Sequence, residues 1–113
     1  MAASAQDKPK WRDGAPVFKK CKTCHSFRPG KHGFGLSLHQ FFGKQAGSAK
    51  GFTYSKAMKA KRQAGLIWTD ETLDAFLTAP KKFIPKTKMV FPGLKDPKDR
   101  RNVIAYVKRK ANR

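Results

Sequence analysis

Acidic residues are scarce in this chain: 7 Asp and Glu stand against 26 Lys and Arg, for a formal net charge of +19. Such an imbalance predicts attraction to acidic proteins, anionic lipid or nucleic acid. Cysteine is scarcer still. Two thiols leave no disulfide framework once they are committed elsewhere. No run of about 18 apolar residues is present, so no helix is expected to span a bilayer. Alternating strand patterns and internal repeats are missing too, which argues against a βαβ or solenoid fold. Base-reading motifs such as a zinc finger or a basic zipper are also absent, so specific nucleic-acid recognition is not expected.

What is present is Cys21-Lys22-Thr23-Cys24-His25. C-x-x-C-H is the attachment signature of a c-type heme. Two thiols three apart can add to the two vinyl groups on one porphyrin edge, and the adjacent imidazole can meet the iron. Two other readings use the same thiols. A thioredoxin-like pair would need surrounding βαβ pattern. A structural zinc would need four ligands, drawn from Cys21, Cys24, His25 and either His32 or His39. Neither has its context here, and one covalent heme c is the expected cofactor. Thioether formation implies handling outside the reducing cytosol. Ala3-Ser4-Ala5 also has the A-x-A pattern of a cleavage site, so a trimmed leader is expected.

With 113 residues, one domain is the default. Residues 1–10 read as a loose tail and 11–113 as the domain. A helix is expected over 11–24, although Gly14 and Pro16 weaken it. Residues 26–51 are glycine-rich and read as a long loop, which a compact domain tolerates if it wraps something. Leu36, Leu38, Phe41 and Phe42 are the candidates to line its inside. A short helix follows over Ser55–Arg62, with Ser55 as N-cap. Thr69 caps a further helix ending at Ala79, with Leu73, Phe76 and Leu77 as its apolar stripe and Pro80 as its stop. Residues 80–95 read as extended loop. Asp96 and Pro97 open the last helix, whose expected buried face is Val103, Ile104, Tyr106 and Val107. The fold class is therefore all-α.

The second iron ligand must come from far along the chain. His32, His39, Met58 and Met89 are the candidates, and Met89 has the advantage of a proline-bounded loop. A thioether ligand would favour ferrous iron, and filling both axial positions leaves no open site for substrate or gas.

The runs Cys21–His25, Gly51–Ser55, Gly65–Trp68, Pro80–Pro85, Thr87–Met89 and Ile104–Tyr106 together resemble the class I cytochromes c, the mitochondrial type and its bacterial periplasmic relatives. The resemblance spans about residues 11–110. It implies a small single-domain fold in which N- and C-terminal helices pack together and long loops wrap a covalent heme. It implies thioethers from Cys21 and Cys24, axial ligation by His25 and Met89, and propionate contacts from Tyr54, Trp68 and Lys44. Lys22, Lys81, Lys82, Lys86 and Lys88, with Phe91, correspond to the basic partner surface at the heme edge.

The function implied is one-electron transfer by a monomer, with no enzymatic activity. Its partners would be acidic redox proteins: a quinol-oxidising complex, a terminal oxidase, a photosynthetic reaction centre or a periplasmic dehydrogenase. Peripheral contact with an anionic membrane fits the charge. The compartment implied is the bacterial periplasm, with the mitochondrial intermembrane space second. The rival readings are a heme protein with an exchangeable distal ligand, peroxidase-like or gas-binding, and a binder of membranes or nucleic acid acting through charge alone.

This chain departs from the family at several positions. Leu36 replaces a proline after Gly35, and Lys44 stands for an arginine. Phe76 stands for a tyrosine, Met58 for an asparagine, and Lys86 for a glycine. The first helix is one residue short, so either Val17 or Phe18 takes the position of a helix-contact phenylalanine. Phe76 and Met58 together imply a drier distal pocket. Lys86 and Lys88, flanking Met89, imply lysine exchange at high pH.

Overall fold

The structure, a computed structural model, describes residues 9–22, 25, 27, 38, 40–87 and 91–111. Five helices follow in order: α1 (Trp11–Lys22), α2 (Lys56–Gln63), α3 (Asp70–Thr78), α4 (Pro80–Phe83) and α5 (Pro97–Ala111). Among the described residues there is no strand; an isolated antiparallel bridge pairs Gln45 with Ile67. The all-α expectation holds, and α1 packs extensively on α5.

Packing explains why α1 forms despite Gly14 and Pro16. Pro16 lies inside the helix and removes one backbone donor there. Gly14 lets the two helices touch. A Cβ at this position would lie 2.6 Å from the Asn102 carbonyl carbon and 2.7 Å from Tyr106 Cβ. Nearby, the Lys10 N–H donates to Asn102 Oδ1 at 2.9 Å, which satisfies a buried polar side chain. Phe18 is buried, with its ring centroid 5.5 Å from Tyr106 and 5.1 Å from Phe27. Phe18 rather than Val17 is therefore the residue with its side chain in the helix contact. Arg109 closes the crossing over the Trp11 ring at 4.2 Å.

The caps fall where the sequence places them. The Ser55 hydroxyl accepts from Met58 N, and Thr69 forms a reciprocal pair with Thr72. Asp96 accepts from Lys98 N at 2.9 Å. On α5, Val103, Ile104 and Val107 are buried, joined by Asn102 and Ala111, while Tyr106 is half-buried. Arg100 ties α5 to α3 through Asp74 at 2.8 Å and to the Leu94 carbonyl at 2.8 Å.

One expectation is corrected. Residues 80–95 are not loop throughout, because Pro80–Phe83 form a helical turn. Pro80 does end α3, but it also occupies the first position of α4. Its fixed φ suits that place and its missing N–H would have had no helical partner. Ile84, after that turn, is fully buried.

Lys86 carries φ 63°. A non-glycine residue in the left-handed region is strained by roughly 1–2 kcal/mol. Glycine would relieve this and give back part of the gain as unfolded-chain entropy. Lys86→Gly should therefore raise stability by about 0.5–1 kcal/mol, read as a higher denaturation midpoint at constant slope. An unchanged or lower midpoint would mean that lysine is held there by contacts outweighing the strain.

Candidate heme site

Beneath α3 and α5 lies a cavity of about 400 Å³. Its inner wall is apolar: Phe18 from α1, Leu73, Phe76 and Leu77 from α3, and Val103 and Val107 from α5. The wall lies on the sides of these helices that face each other, so the site is a continuation of the core. Leu38 and Phe41 complete the apolar lining, as their place in the long loop suggested. Phe42 does not line the cavity; its ring packs on Phe41 at 4.8 Å with Lys108 Nζ 5.7 Å away. Leu36 lies outside the described residues.

The cavity also has polar lining residues, and backbone pairing positions two of them. Trp68 N donates to Lys44 O at 3.0 Å, and Gly43 N donates to Trp68 O at 2.7 Å. Two distant segments are thereby clamped side by side, bringing Lys44 and Trp68 to the same wall. Trp68 packs edge-on against Phe76 at 5.5 Å, and its indole N–H is a donor only. Tyr54 also lines the cavity. Its hydroxyl accepts from Ala49 N at 3.1 Å and keeps its own proton to donate. Burial raises the Tyr54 pKa above 10.0, against the lowering effects of the Ala49 N–H and the Arg62 charge. The phenol is thus a neutral donor at physiological pH.

His25 lies on the cavity wall. Cys21 falls in the last turn of α1, so the rigid α1–α5 pair delivers the motif to the cavity. Cys24, Lys88 and Met89 lie outside the described residues, as does the Lys22 side chain. Met58 and Phe76, the two departures expected to dry the distal pocket, both line the cavity. Lys81, Lys82 and Lys86 are exposed, and Phe91 is half-buried against the core. Gln45, Ser48 and Lys50 also line the cavity without having been singled out. Only the glycine-rich character of their loop hinted at an enclosing role.

The shape and chemistry suit a heme. A flat apolar macrocycle matches the helix-built wall, and carboxylate substituents need donors and a cation where they are desolvated. Lys44, Tyr54 and Trp68, all lining this cavity, are a cation and two donors of that kind.

Comparison with known proteins agrees with this geometry. The family model described as Cytochrome c matches residues 11–110. Cytochrome c2 of Afifella marina is 46% identical over 96 residues, covering 84% of this chain and 77% of the relative. Cytochrome c2 of Rhodomicrobium vannielii is 50% identical over 95 residues, covering 83% and 74%. A plant protein, cytochrome c of Nigella damascena, is 46% identical over 97 residues, covering 84% and 85%.

Proposed function

Because this chain belongs to the cytochrome c family, whose members carry electrons on one covalently attached heme c, we propose that it shuttles single electrons between acidic redox proteins with His25 and Met89 as axial ligands. The observation that supports this best is the sharing of one cavity by His25, the apolar helix wall and the donors Lys44, Tyr54 and Trp68. When bound, the heme supplies reversible ferric–ferrous chemistry, tuned by axial ligands, hydrogen bonding and burial.

The protein's own residues do the rest. Cys21 and Cys24 would hold the group covalently, and His25 would supply an imidazole nitrogen to the iron. Tyr54 and Trp68 would donate to the carboxylate substituents, and Lys44 would offset their charge. Phe76, Leu77 and Met58 exclude water from the other parts of the cavity. Ahead of Met89 in sequence, the turn after α4 is fixed by Thr87 N donating to Ile84 O at 3.0 Å.

Filling both axial positions leaves no coordination site for a substrate, which favours electron transfer over catalysis. Exposed Lys81, Lys82 and Lys86, with Lys22 and Lys88, form the surface for an acidic quinol-oxidising complex, terminal oxidase, reaction centre or periplasmic dehydrogenase. The bacterial periplasm is the compartment that best suits thioether assembly and the cytochrome c2 relatives. Met89→Ala should abolish the methionine–iron absorption band and let cyanide and carbon monoxide bind, whereas Met58→Leu should leave the band in place. Loss of the band in Met58→Leu alone would move the ligand to α2.

A further inference from the structure

The heme-edge lysines do not account for the charge of α2. All seven carboxylates are Asp7, Asp13, Asp70, Glu71, Asp74, Asp96 and Asp99, so residues 14–69 contain none. Among the described residues the ion pairs are Arg100–Asp74 and Lys108–Asp70, both between α3 and α5. The sequence of α2, KAMKAKRQ, has no carboxylate and no buried residue. Lys56, Lys59 and Arg62 are exposed on it, three residues apart. Like charges at that spacing oppose helix formation; Arg62 in the last turn suits the negative end of the helix, but Lys56 and Lys59 have no such role in folding.

Contacts join α2 to the basic surface of α4. Lys61 Nζ lies 5.5 Å from the Phe83 ring centroid. Lys56 and Lys86 line the same open cleft of about 510 Å³, between residues 54–57 and Pro85–Lys86. Just beyond the C-terminal end of α2, Leu66 N donates to Lys61 O. The next residue, Ile67, is the exposed large hydrophobic among the described residues, at 46%. Cations with an apolar side chain at their edge are the makings of a protein interface.

We infer that α2 belongs to the docking surface for the acidic partner protein. Carboxylates of that partner face Lys56, Lys59 and Arg62, and Ile67 is covered at the margin. This rests on the electron-carrier reading and extends its contact area beyond Lys81, Lys82 and Lys86. A bilayer suits α2 less well. Interfacial helices put large apolar residues on their outer face, whereas Ala57 and Met58 of α2 pack inward on the core. Single-stranded nucleic acid would want exposed aromatic platforms, and α2 has none.

The test uses the heme-loaded protein with Lys56→Glu/Lys59→Glu, and Lys81→Glu/Lys82→Glu as a reference for α4. The probes are the detergent-solubilised oxidase fraction of the source membranes, ferricyanide, and phosphatidylglycerol vesicles. The α2 variant should react about tenfold more slowly with the solubilised oxidase at low ionic strength and converge with the parent at high salt. Its ferricyanide rate should change less than twofold. If the oxidase rate holds while the α4 variant slows, α2 is not part of the interface and the electron-carrier reading stands. If neither variant slows, the basic docking surface of that reading fails as well. If only vesicle binding falls, α2 is a lipid contact and the inference is overturned. Should the double charge reversal fail to fold, Lys56→Gln/Lys59→Gln reads the same rates with a smaller expected loss.

Discussion

Gly14→Ala should destabilise the protein by about 3 kcal/mol, although the same change in an exposed helix stabilises by about 1 kcal/mol. Two effects of opposite sign compete. Alanine restricts the unfolded chain and favours helix, but its methyl would have to occupy space held by the Asn102 carbonyl and Tyr106 Cβ. Those are backbone and near-backbone atoms of α5, so no rotamer change makes room. The helices must separate, which loosens Phe18 against Tyr106 and strains the Lys10–Asn102 bond. Overpacking of a tight contact costs typically 1–3 kcal/mol, and a lost hydrogen bond adds about 1 kcal/mol. Guanidinium unfolding followed by circular dichroism reads the sign directly. A midpoint above the parent's would mean that α1 and α5 are less tightly joined than described, and Gly14→Val should lower the midpoint further.

The chain without heme should not fold cooperatively. An unfilled cavity of about 400 Å³, at about 24 cal/mol per Å³, would cost on the order of 10 kcal/mol. Entry of water at the open side reduces that figure. Total stability for a domain of this size is typically 5–15 kcal/mol, so the penalty is comparable with everything that holds the fold. A Cys21→Ala/Cys24→Ala chain purified without heme should show weak helical dichroism and no sharp thermal transition. A cooperative transition near that of the loaded protein would contradict the view that the group completes the core.

The parts of this architecture that were legible beforehand are those with a local chemical cause. Helices α2, α3 and α5 each begin at a side chain able to hold an unpaired N–H, and Ser55, Thr69 and Asp96 do so. The apolar spacing of Leu73, Phe76 and Leu77 correctly marked the buried face of α3. What was missed has tertiary causes. The α1 helix was expected, but not that Gly14 is where α5 approaches it, and Pro80 begins a turn as well as ending one. Asn102 was not singled out, and its burial follows from Lys10 reaching it from the other end of the chain. The site follows the same division. The Cys21–His25 motif carries its own chemistry, whereas nothing local joins Lys44 to Trp68. Their backbone pairing brings them together, and their role came from resemblance alone. Lys86 shows a further limit, since only the folded turn reveals that a lysine occupies a left-handed position.

The most direct measurement is the mass of the native polypeptide after acid–acetone extraction, alongside its pyridine hemochrome spectrum. Thioether attachment at Cys21 and Cys24 predicts that colour stays with the chain, that its mass exceeds the polypeptide by one heme, and that the spectrum shows both vinyl groups saturated. Colour passing into the organic layer, with a bare polypeptide left behind, would contradict it.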